Sequence, residues 1–137
     1  MQLTTENIVI NEKNGLVTLA FEAPTHPDAA IRRLLSVFAE IPNPYAFDWL
    51  LDFRQVSPLP TRVHLERVAA KWETVAKGRD IGRRTAMLYG FKVAASVNFE
   101  TRRLFPFRTV RSFDHIDAAS AWIQSICCTE DAEALLV

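Results

Sequence analysis

The stretch Thr85-Ala86-Met87-Leu88-Tyr89 is continuously apolar and is closed by Gly90. It is too short for an ordinary helix, and it lacks the alternation of a strand with one wet face. It therefore reads as a strand covered on both sides, the condition met where crossover helices flank a parallel sheet. A chain containing such a strand must supply helices between its other strands.

The remaining sequence supplies them. Asn7 to Glu12 alternates apolar and polar residues, Lys13-Asn14-Gly15 offers turn chemistry, and Leu16 to Phe21 alternates again, which together read as a β-hairpin. Beyond Pro24 and Pro27, Asp28 is placed to cap a helix carrying Ile31, Leu34, Leu35 and Phe38 at helical spacing, stopped before Pro42-Asn43-Pro44. Phe47, Trp49, Leu51 and Phe53 share one face of an extended run. After Pro58 and Pro60, the residues Leu65, Val68, Ala69, Trp72, Val75 and Ala76 mark a second helix, with Gly78 placed to end it. A third helix is expected over 91–105 on the stripe Ala94, Val97, Thr101 and Leu104, followed by a charged edge strand from Arg108 to Phe113. Asp114 is then expected to cap a last helix with Ile116, Ala119, Ile123 and either Ile126 or Cys127 inward, and the tail from Thr129 is expected to fray. The order ββαβαβαβα over 1–137 predicts one α/β domain. Its single mixed, mostly parallel sheet has about five strands flanked by about four helices.

Composition narrows the class further. With 49% hydrophobic and 23% charged residues among 137, the chain is neither disordered nor a disulfide scaffold. Its 16 basic and 16 acidic side chains cancel, but unevenly: residues 61–111 carry 12 basic and 4 acidic groups, while 112–137 carry 5 acidic groups and no basic one. That basic middle meets the acidic ends within the fold, faces solvent, or presents a patch to an anionic partner, the first two being favoured. Nucleic-acid binding is disfavoured, since it would require Arg62, Arg67, Lys71, Lys77, Arg79, Arg83 and Arg84 to share a face, with Phe91 and Phe107 stacking. No export signal or membrane-length apolar run is visible, so a cytoplasmic protein is expected. Cys127 and Cys128 are adjacent, which suits reduced residues in a helix better than a zinc site or disulfide.

Chemistry-bearing motifs are few. His26, His64 and His115 have no partner at metal-ligand spacing, and no Gly-x-Ser-x-Gly turn is present. Gly15, Gly78, Gly82 and Gly90 form no phosphate loop or dinucleotide fingerprint, so neither a metal nor a cofactor is expected. Asp48 and Asp52 share a strand face about 13 Å apart, too far for paired-carboxylate hydrolysis, and Arg54 and the sheet surroundings are their expected companions. A pocket at the carboxyl ends of the strands would draw on Asp52, Arg54, Thr61, Arg62, Tyr89, Gly90, Lys92 and Asp114. The plain alternative is structural: Thr61 as an N-cap and Asp52 in structural capping at the strand end.

Four stretches carry a family resemblance: Trp49-Leu50-Leu51-Asp52-Phe53, Arg84-Thr85-Ala86-Met87-Leu88, the run Leu104 to Phe113, and Ala118-Ala119-Ser120-Ala121-Trp122-Ile123. With the element order, these resemble the SpoIIAA-like branch of the STAS-like family, related to the sulphate transporter and anti-sigma-factor antagonist domain. The resemblance implies a mixed sheet flanked by helices and a regulatory or protein-interaction role without catalysis. In anti-sigma antagonists, an Asp-Ser-Ser-Gly serine is phosphorylated to break a partner interface; here the corresponding region reads Leu59-Pro60-Thr61-Arg62, so that switch motif is missing. The resemblance also touches Sec14-type lipid-binding domains, which gives the alternative of a carrier or sensor for a small apolar or amphipathic ligand. The partner is expected to be another protein or a second copy in a homodimer. An apolar cavity under the third helix would favour the carrier, and an exposed apolar patch rimmed by charge would favour the interaction module.

Overall fold

The computed structural model of the chain describes residues 6–125. Its hairpin consists of β1 (Glu6–Asn11) and β2 (Leu16–Phe21), paired antiparallel across a turn in which Gly15 adopts a positive φ of 67°. Three parallel strands follow: β3 (Asp48–Asp52), β4 (Arg84–Leu88) and β5 (Thr109–Phe113). They complete one five-stranded sheet in the order β1-β2-β3-β4-β5. The crossovers are α1 (Pro27–Glu40), α2 (Arg62–Ala76) and α3 (Ala95–Leu104), and α4 (Ile116–Gln124) follows the last strand. The α/β class, the mixed sheet and the element order are therefore as the sequence predicts.

Because the parallel strands lie in sequence order and crossovers share one hand, the three crossover helices fall on the same face. Accordingly α1 packs on α2 and α2 on α3, whereas α4 contacts β3, β4 and β5 from the other side. The larger core lies between the sheet and α1–α3, where Val17, Leu19, Trp49, Leu51 and Met87 meet Ile31, Phe38, Val68 and Trp72. Phe38, Trp49 and Trp72 form an aromatic knot with ring centroids 4.9–6.3 Å apart. The smaller core holds Leu50 and Ala86 against Ala119 and Ile123. β4 is thus buried on both faces, as its unbroken apolar run requires.

Several boundaries depart from the sequence reading. α1 is capped by His26, whose ring accepts the Asp28 N–H at 3.0 Å; Pro27 takes the first helical position, where its fixed φ and missing N–H are tolerated. Asp28 is therefore released from capping. α3 starts at Ala95 rather than 91, because Gly90 turns the chain at a φ of 84° and Val93 is buried before the helix begins. The last helix is capped by His115, not Asp114. Arg108, expected on a charged edge strand, is buried. The inward residue at 126 or 127, the state of Cys127 and Cys128, and the tail from 129 lie outside the described residues.

Candidate functional site

At the carboxyl ends of the parallel strands, the expected site residues separate into two groups. In the first, the Arg54 guanidinium clasps Asp52 through two bonds, Nε to Oδ1 at 2.9 Å and Nη2 to Oδ2 at 2.7 Å. The Arg54 backbone N–H adds a third, to Oδ1 at 3.1 Å. This anchoring raises the pKa of Arg54. The Arg54 side chain lies over Gly90, where an added Cβ would sit 3.1 Å from Arg54 Cγ. Tyr89 is buried beside Phe53 and Phe91, and burial pushes its hydroxyl up to about 12. Asp52, Arg54, Gly90 and Tyr89 thus form a closed strand-end lock. A consecutive strand order also has no reversal point, so the ligand crevice of doubly wound sheets does not arise here.

The second group gathers at the start of α2, where Thr61 is the N-cap residue. His64 Nδ1 accepts the Thr61 N–H at 3.0 Å and lies 2.9 Å from the Thr61 hydroxyl oxygen. Its Nε2 stands 2.6 Å from Oδ1 of Asp28 on α1. The His64 side chain is 14% exposed. This bond from His64 holds the Asp28 carboxyl below the usual carboxylate range. Arg62 bonds Glu66 at 3.0 Å and approaches Glu100 of α3 at 3.8 Å. Glu100 is held below its ordinary range by its bond from Arg103, whose own pKa is raised in turn. Lys92 and Asp114 stand exposed in the loops after β4 and β5.

Sequence reasoning missed a third cluster, in the interior. Arg108 Nε donates to Asp80 Oδ2 at 2.7 Å, and the same oxygen accepts the Trp72 indole N–H at 2.9 Å. Arg108 Nη1 reaches the Thr85 hydroxyl at 2.8 Å and Nη2 the Phe47 carbonyl at 3.2 Å, with the guanidinium over the Trp72 ring. Burial lowers the Arg108 pKa, opposed by the Asp80 bond. The two residues are 28 apart in loop and strand-end segments, so no local pattern could have joined them.

Two concavities flank these groups. Between α1, α2 and the sheet is a cavity of about 50 Å³, lined by apolar side chains including Ile31, Phe38, Leu65 and Met87, with Arg108 and Thr101, its one residue from α3, at its wall. Between α2 and the loop after α3 runs an open groove of about 390 Å³. Ala69, Ala70 and Phe107 lie in the groove, and Glu66, Glu73 and Arg103 also line it. Three phenylalanines of the β4-to-β5 crossover are markedly exposed: Phe91 at 51%, Phe99 at 58% and Phe107 at 49%. They stand before α3, within it and after it.

Among the described residues, no group of three His, Cys, Asp or Glu side chains is placed to hold a metal ion. Among them too, no helix is long and apolar enough to cross a membrane. No family model, curated protein or solved structure matches the chain.

Proposed function

We propose that the chain is a non-catalytic regulatory or protein-interaction module of STAS-like type, working in the cytoplasm. Its partner, another protein or a second copy, binds the β4-to-β5 crossover. The observation that carries this reading is the exposure of Phe91, Phe99 and Phe107 along one crossover, with Phe107 lining an open groove that also holds small apolar and charged residues. Large apolar side chains left half in water along one element mark a surface that gains free energy when covered. The element order and the quoted sequence stretches support the STAS-like assignment.

The carrier alternative rests on the apolar cavity between α1, α2 and the sheet, which only Thr101 of α3 touches. At about 50 Å³ it is well below the roughly 150 Å³ of an apolar cavity that accepts benzene. It holds a few atoms at most without rearrangement, which ranks this reading second.

The test is site-specific photocrosslinking in the native host, with a photoreactive phenylalanine analogue placed at 99, 107 or, as a control, the exposed Ala39 of α1. The proposal expects one discrete protein adduct from positions 99 and 107 and none from 39. Adducts of equal yield at all three positions, or none at any, would overturn it.

A further inference from the structure

β1 ends the sheet, and among the described residues no backbone group bonds to its outer edge. Outward N–H and C=O groups on such a strand are a template for another chain, and sheets ordinarily guard them with lysine, proline, a bulge or a covering element. The opposite edge is guarded: β5 carries the exposed Arg111 at its centre and is packed by α3 and α4. β1 is not. Its residues 7–11 hold no charge and no proline, its register against β2 runs without a bulge, and β2 is the element it packs against. Val9 and Ile10 stand 58% and 43% exposed.

These five residues read Asn7-Ile8-Val9-Ile10-Asn11, the same in both directions. A two-fold contact between identical strands requires that wherever residue i meets j, j meets i. Antiparallel pairing centred on Val9 meets that condition with like on like: Val9 against its counterpart, Ile8 against Ile10, and Asn7 against Asn11 of the second copy. Centring the axis on Ile8 or Ile10 instead sets Asn7 or Asn11 against Val9 and loses the match. The faces agree as well. Ile8 and Ile10 lie opposite Leu19 and Val17, which are buried in the larger core, and so stand on the face that carries α1–α3. Val9 lies opposite Thr18 on the other face, where α4 contacts β3, β4 and β5. A two-fold axis normal to the sheet keeps each face on its own side, so the paired isoleucines continue the larger core across the boundary and the two Val9 side chains cover one another.

We propose that β1 is a homodimerisation edge, at which two copies pair antiparallel about Val9 into one continuous sheet of twice five strands. A strand pair this short is smaller than a standard protein interface, so the association is reversible and set by concentration. The edge lies at the far side of the sheet from β5, so it is independent of the α3 surface and places two copies of that surface at opposite ends.

Sedimentation velocity of the intact chain from about 1 to 500 µM, the range suited to a small interface, tests this. The expected result is a monomer–dimer equilibrium whose dimer fraction rises with concentration. Val9→Lys, at an exposed position, sets like charges opposite one another and weakens the dimer at least about tenfold. Val63→Lys, at a comparably exposed position on α2, leaves it unchanged. Circular dichroism checks that each variant folds. A disulfide reports the register independently, in a background of Cys127→Ser and Cys128→Ser. Val9→Cys stands directly opposite its counterpart and crosslinks on mild oxidation, whereas Ile10→Cys, displaced two residues along the pairing from its own, lies beyond disulfide reach. A chain that is monomeric throughout leaves the edge to a strand of another protein or to none, and overturns the proposal. So does a dimer that survives Val9→Lys, its loss in Phe99→Lys then placing self-association on α3. Equal crosslinking at positions 9 and 10 overturns it too.

Discussion

At the residue scale, the interior ion pair carries the greatest consequence for stability. Arg108 and Asp80 are 3% and 2% exposed, and their charges are satisfied by one another and by Trp72, Thr85 and the Phe47 carbonyl. Removing one partner leaves a buried charge uncompensated, so Asp80→Ala should cost about 3–5 kcal/mol in urea unfolding. A double replacement by apolar residues of similar volume should recover much of that loss. Tyr89 gives a pH-dependent expectation. Its folded-state pKa is raised to about 12 by burial, so the folded form holds the phenolic proton more tightly than the unfolded form does. The associated stability is fully present below pH 10 and is lost as pH rises from about 10 to 12, amounting to roughly 2–3 kcal/mol. Unfolding midpoints measured across that window, alongside phenolate absorbance, check it. Gly90 combines a φ of 84° with a tight approach to Arg54, so Gly90→Ala should destabilise by more than about 1 kcal/mol in the same assay.

At the scale of elements, what was legible in the sequence followed the density of local signal. β4 was plain because five apolar residues in a row admit few alternatives, and α2 was plain because its stripe repeats over four turns. Caps were less legible. Asp28 and Asp114 each looked like N-caps, yet His26, two residues before Asp28, and His115, one residue after Asp114, offer ring nitrogens to the first-turn N–H groups. The start of α3 was misjudged because no breaker separates Gly90 from Ala94, the N-cap residue at which the apolar stripe begins. Among the residues of α3 only Thr101 is buried, and it hydrogen-bonds back to Val97. Thin burial of this kind means low local stability. Native-state hydrogen exchange should therefore show α3 opening well before β3 and β4, and protection in α3 equal to that of the central strands would contradict this.

At the scale of the whole molecule, the architecture was readable because strand order, handedness and covered faces follow from one rule once helices alternate with strands. The site was much less so. Thr61 and Arg62 were placed at the correct helix start, and Asp52 with Arg54, but nothing in the sequence tied His64 to Asp28 across 36 residues. That contact exists only because α1 and α2 lie side by side on one sheet face. The three exposed phenylalanines likewise acquire meaning only when the crossover is seen to leave them in water. Native mass spectrometry of the protein purified from its own host tests the interaction-module reading most directly. The account predicts the chain alone or bound to a protein partner, with no stoichiometric small-molecule adduct. A small apolar or amphipathic molecule retained at one per chain would contradict it and establish the carrier instead.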